Sequence, residues 1–93
     1  MMLGQRIYEL RIAFGWSQVE MAKHLGVAKQ TASNWENDNI QPSIDMLVRL
    51  AKLFNVTTDY LLGLEKEPRI SVAGLPDSMV AHLSQLIEDY RRK

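Results

Sequence analysis

The residues whose types and spacing best suit chemistry are Ala28, Lys29, Gln30, Thr31, Ser33, Asn34 and Asn37, in a stretch with no acid from Val27 to Trp35. The amides of Gln and Asn carry a donor beside an acceptor and match the N6 and N7 edge of adenine. A lysine ammonium donates to guanine O6 and N7, and Ala or Thr methyls touch the thymine methyl. A solvated helix without a partner more often alternates Glu and Lys. The absence of acids instead permits approach to phosphate. This is the chemistry of reading base edges rather than of breaking bonds.

Two short helices are needed to position these groups. A helix over Lys29 to Asn37 that turns Ala32 and Trp35 inward leaves the seven residues above on its outer face. The helix before it, Gln18 to Leu25, opens on Ser17 with Glu20 three residues later. That arrangement forms a capping box and satisfies two orphan amides. Gly26 stops it, because glycine adopts the left-handed C-cap without a Cβ clash. Ala22 faces the second helix, and its small side chain lets the backbones cross closely.

The ordered pattern Gln18, Ala22, Gly26, Ala32, Trp35 resembles the helix-turn-helix of the lambda and Cro type repressors, the Xre family. The similarity extends through LRIAFGWSQ before it and NWENDNIQPSIDMLVRLAKLFNVTTDYLLG after it, about Met1 to Gly63. The resemblance implies an all-α, five-helix, lambda-repressor-like DNA-binding domain. It implies that the Gln18 side chain contacts a phosphate, aided by the amides opening its helix. It also implies that Lys29, Gln30 and Asn34 meet base edges or the adjacent backbone. Two departures stand out. Ala28 replaces a frequent Ser or Thr, which removes a cap or phosphate contact, and Ala32 is smaller than the usual branched residue. Taken alone, Arg11 reads equally as a solvated arginine or a paired one; the resemblance implies an ion pair with Glu36.

The remaining elements follow from periodicity and punctuation. Leu3, Ile7, Leu10 and Phe14 alternate steps of four and three, predicting a first helix with one buried stripe, ended by Gly15. Trp16 is placed to pack as a staple on Met21, with a DNA or partner contact as its alternative, and His24 is a surface residue with no second nearby His or Cys to build a metal site. Asp38 to Pro42 is a loop, and Asp38 stands where many relatives carry glycine. Ser43 caps a fourth helix whose Ile44, Leu47, Leu50, Ala51 and Phe54 are core positions, and Asn55 closes it. Thr57 or Thr58 caps a fifth helix, Asp59 to Leu62, in which Tyr60, Leu61 and Leu62 cover the bottom of the core.

At 93 residues the chain holds one domain and an appendage: the domain over 1–63, a linker over 64–75 and a C-terminal helix over 76–93. The linker carries Pro68, Gly74 and mixed charges without helical period. Within it Arg69 to Val72 alternates and forms a strand only if a second chain supplies a partner. In the last segment Met79, Val80, Leu83, Leu86, Ile87 and Tyr90 share one stripe, which either folds back on the domain or pairs two chains as a homodimer. Pro76 or Asp77 starts this helix, and Arg91, Arg92 and Lys93 place cations in its last turn.

Composition bounds the function classes. The absence of cysteine excludes disulfides and fits a reducing cytoplasm. No apolar run reaches the ~18 residues of a membrane span, and the charged N-terminus lacks the apolar block of a signal peptide. With no Gly-rich phosphate loop and no metal-ligand cluster, the chain reads as neither an enzyme nor a cofactor or metal binder. The eleven basic residues equal the eleven acidic ones, so affinity for double-stranded DNA must come from placement of charge rather than its total. The expected activity is that of a transcriptional regulator, a repressor holding a two-fold operator as a homodimer. The alternative is an antitoxin or adapter whose helix-turn-helix mainly supports contacts with a protein partner.

Overall fold

The computed structural model describes residues 2–92, with the backbone alone for Met2; Lys93, expected among the cations of the last turn, lies outside them. Six helices and no strand occur among the described residues: α1 Met2–Ala13, α2 Gln18–Leu25, α3 Lys29–Glu36, α4 Ile44–Phe54, α5 Thr58–Leu61 and α6 Asp77–Arg91. The architecture is all-α.

Local sequence sets each boundary. At α2 the Ser17 hydroxyl accepts from the Glu20 amide at 3.1 Å, and the Glu20 carboxylate accepts from the Ser17 amide at 3.0 Å. Gly26 then takes the left-handed conformation, φ 69°, and returns its N–H to the last carbonyls of the helix. The Ser43 hydroxyl caps α4 at the Met46 amide, and the left-handed Asn55 ends it; the Thr57 hydroxyl caps α5. Ala28, which has no side-chain acceptor, opens α3 without a side-chain cap. Helix α3 ends one residue before the expected Asn37, which is its C-cap, and α5 begins one residue earlier than expected.

Helices α1–α5 share one core: Leu3, Ile7, Met21, Ala22, Leu25, Ala32, Trp35, Leu50, Ala51, Phe54 and Leu61. Leu10, Leu47 and Trp16 pack against it from partly buried positions. Three expected core or stripe residues are corrected. Ile44 is 81% exposed because it opens α4 a full turn before the buried stripe reaches the core, and so overhangs its edge. Phe14 follows the end of α1 and is 44% exposed; one side of its ring meets Phe54 at 5.2 Å and Trp16 at 5.0 Å, and the rest faces water. Leu62 sits at the C-cap of α5 and is also exposed, whereas Leu61 fills the bottom of the core. The closest ring contact of Trp16 is with His24, 4.3 Å between centroids, an aromatic stack at the domain edge.

Residues 64–75 contain no helix or strand, but the first part is tied down. The amides of Leu64 and Glu65 donate to the Asp59 carbonyl, the Thr57 hydroxyl donates to Glu65 at 2.8 Å, and Asn55 Nδ2 donates to the Ser71 carbonyl. Arg69 to Val72 has no strand partner among the described residues. Helix α6 buries none of its described residues. Its Val80, Leu83, Leu86 and Ile87 line, with Pro68, Ile70 and Val72, an apolar groove of about 360 Å³. Standing off the five-helix core, α6 makes the chain long, 41 × 24 × 23 Å. The radius of gyration of 14.7 Å exceeds the ~12 Å of a compact chain this size.

Candidate nucleic-acid interface

The outer face of α3 is presented by burial of its opposite face. Ala32 has no exposed surface and Trp35 almost none, which fixes the rotation of the helix and turns Ala28, Lys29, Gln30 and Asn37 to solvent. Thr31, Ser33 and Asn34 are half-buried along its flanks. Ala32 and Trp35 share the core with Met21, Ala22 and Leu25 of α2.

Polar side chains on this face are already aligned with one another. Gln30 Nε2 donates to Asn34 Oδ1 at 3.1 Å, and Asn37 Nδ2 donates to Ser33 Oγ at 3.3 Å, each pair one turn apart. An amide nitrogen carries two hydrogens. Gln30 therefore keeps a donor and its Oε1 acceptor for a base edge while Asn34 fixes the direction of its amide. Lys29, the cation of the face, stands in the first turn, and acids are absent from it.

Behind this face an ion-pair network joins three helices. Arg11 Nε meets Glu36 Oε2 at 2.6 Å and Arg11 Nη2 meets Oε1 at 3.0 Å, a bidentate pair; Nη1 donates to the Trp16 carbonyl at 2.7 Å. The side chains are only 10% and 4% exposed, so the pair is a buried one. The hydrogen bonds Arg11 donates to Glu36 push its pKa further up, against a smaller opposing effect of burial. Gln18 Nε2 donates to Glu36 Oε1 at 3.2 Å. Its amide is thereby held at the N-terminus of α2, with a second hydrogen available to an oxygen outside the protein. At the same helix end the Ser17 amide and hydroxyl hold the Glu20 carboxyl below its ordinary range.

Sequence reasoning missed Gly4. A Cβ there would stand 2.6 Å from the Trp35 carbonyl oxygen and 2.8 Å from that of Glu36. Only glycine lets α1 approach the end of α3 this closely, and the Gly4 amide donates to Asp38 Oδ1 at 3.2 Å. Asp38 has φ 56°, so it carries the left-handed turn at the end of α3 that glycine would adopt more readily. The available signal was a glycine inside a helical stripe, which needs a packing reason to offset its cost of about 1 kcal/mol. Also missed was Arg49, whose Nη2 donates to the Leu25 carbonyl at 2.6 Å and secures the end of α2 before the turn.

A family profile described as helix-turn-helix matches residues 7–61. The HTH-type transcriptional regulator ImmR of Bacillus subtilis (strain 168) is 35% identical over 89 residues, 96% of this chain and 70% of the relative. Against two further regulators of that organism the chain spans 57% and 53% of their length. Among solved structures, the P22 c2 repressor in complex with a synthetic operator superposes with a TM-score of 0.62 at 30% identity, covering 66% of this chain and 92% of that one. The complex of the SinR protein with the SinI protein superposes with a TM-score of 0.63 at 25% identity, covering 99% of this chain and all of that one.

Proposed function

The chain belongs to the Cro/C1-type helix-turn-helix family of transcriptional regulators, and from that premise we propose that it binds a two-fold DNA operator as a homodimer and represses the promoter it covers. Helix α3 enters the major groove. Lys29, Gln30 and Asn34 meet base edges there, with Gln30 steered by Asn34; Ala28, Thr31, Ser33 and Asn37 line the approach to bases and sugar–phosphate. Gln18, held by Glu36, donates its second amide hydrogen to a phosphate and sets the depth of insertion. The observation that carries this reading is the α3 face itself, free of acid and with its two longest amides already aligned.

Dimerisation falls to α6. Met79, Val80, Leu83, Leu86, Ile87 and Tyr90 lie on a helix that the five-helix core does not cover, and an apolar surface of this kind marks an interface. One recognition helix reads too few base pairs for an operator. A two-fold pair sets half-sites about 34 Å apart or a multiple of it. Support also comes from the repressor–operator neighbour, whose fold this chain shares.

Alanine at Gln30 or Asn34 relaxes preference at one base pair by about 1 to 3 kcal/mol, whereas alanine at Gln18 weakens all sequences alike. The full chain sediments as a dimer, and a chain ending at Gly63 does not. A second reading, an antitoxin or adapter built for a protein partner, is supported by the zero net charge and by a structural neighbour solved as a protein–protein complex. It requires that the Gln30 and Asn34 substitutions leave DNA binding unaltered.

A further inference from the structure

Residues 1–63 hold six basic side chains, and their placement is uneven. Arg11 is committed to Glu36, the Arg6 guanidinium lies 4.0 Å over the Tyr60 ring, and Lys29 stands on α3. Of the other three, Arg49 and Lys52 meet at the C-terminal end of α2, and Lys23 stands in the last turn of that helix. There His24, Leu25, Arg49, Lys52 and Leu53 line an open groove of about 320 Å³, and none of the five is acidic. Lys23 stands on the same last turn of α2 as His24. The densest positive charge of the domain is therefore not on its reading helix.

Capping of α2 does not account for the cluster. Arg49 alone satisfies the Leu25 carbonyl, and the helix dipole there is served by Lys23 and His24 in the last turn. Lys52 stands in the last turn of α4, where its charge favours that helix's dipole, and it has no ion-pair partner among the described residues. The nearest acid on α2, Glu20, interacts with Lys23 and His24 but is occupied by the capping box at Ser17. Beneath the cations the groove has an apolar floor, buried Leu25 and half-buried Leu53, and the Trp16 ring flanks it by stacking on His24.

We infer that this groove docks an acidic, apolar-containing peptide segment of a second protein. Its carboxylates pair with Lys52 and Arg49, and an apolar side chain rests on Leu53 beside the Trp16–His24 stack. Charge complementarity selects the acidic partner, and the leucine floor selects a peptide over a phosphate backbone, which has no apolar group to place there. The groove lies at the opposite end of α2 from Gln18, about 10 Å along the helix. The inference stands whether or not the operator reading holds.

The test is a titration of isotope-labelled full chain, followed by NMR, with a synthetic peptide of alternating Glu and Leu. A Lys and Leu peptide and a random-sequence DNA duplex serve as comparisons. The acidic peptide shifts the amides of His24, Leu25 and Leu53 and the Trp16 indole saturably, and Lys52→Glu, at an exposed position that leaves the fold intact, weakens it about fivefold or more. The Lys and Leu peptide leaves those signals in place. Shifts confined to α3 or α6, or an affinity unchanged by Lys52→Glu, overturn the inference. So does a duplex that moves the same signals with a salt dependence reduced by Lys52→Glu, which assigns the patch to nucleic acid.

Discussion

Replacing Arg11 with alanine removes three hydrogen bonds at 2.6, 2.7 and 3.0 Å and leaves the Glu36 carboxylate, whose side chain is 4% exposed, without its cation. The Gln18 amide at 3.2 Å is a neutral donor and cannot replace the guanidinium. Breaking a buried pair from one side costs about 3 to 5 kcal/mol, because the remaining charge stays desolvated. For a domain this size, about 4 °C or more per kcal/mol lowers the melting temperature by at least ~12 °C. Urea unfolding followed by helical circular dichroism measures the loss directly. Pairing Arg11→Met with Glu36→Leu removes both charges at once and costs much less than the sum of the single substitutions. A loss below about 1 kcal/mol for Arg11→Ala is the behaviour of an exposed pair and refutes the reasoning.

Gly4→Ala forces a Cβ against the Trp35 and Glu36 carbonyls. Despite alanine's helix preference of about 1 kcal/mol, it destabilises by about 1 to 2 kcal/mol; any gain in the urea midpoint counts against a close approach there. The lowered pKa of Glu20 gives a pH signature. The capping box contributes its full stability above the ordinary carboxylate value of 4.5 and loses it as pH falls through the depressed folded value. Glu20→Gln removes that acid-range slope, whereas Ser17→Ala, which keeps the backbone amide that Glu20 accepts from, costs about 1 kcal/mol at neutral pH; a slope unchanged by Glu20→Gln removes the capping box from the explanation. Asn55→Ala puts a Cβ residue without a local hydrogen-bonding side chain at φ 54° and lowers stability by about 1 kcal/mol, read in the same melts.

Much of this organisation was legible in the sequence because it depends on local rules. Ser17 with Glu20, Gly26, Ser43 and Asn55 each mark a helix end through an interaction spanning a few residues, and the structure places those ends there. The inward turn of Ala32 and Trp35 followed from one helical period. Legibility failed where the deciding partner lies far along the chain. Ile44 fits the α4 stripe by spacing, yet whether a core residue waits opposite it depends on where α1 and α2 end in space. Gly4 acquires its meaning only when the end of α3, more than thirty residues later, arrives within 3 Å of where a Cβ on it would stand. On the α3 face, residue types were readable but their mutual bonds, Gln30 to Asn34 and Ser33 to Asn37, needed rotamers. The same holds for Arg49, whose bond to the Leu25 carbonyl crosses between helices.

Selection of bound duplexes from a randomised DNA pool by the full chain, followed by sequencing, tests the operator reading most directly. The predicted result is a two-fold site, two half-sites about one helical turn or a multiple apart, with preference at one base pair in each half lost in Gln30→Ala. Enrichment of no sequence, of a single unpaired half-site, or of an identical site by the Gln30→Ala and Asn34→Ala proteins contradicts a dimer that reads DNA through α3.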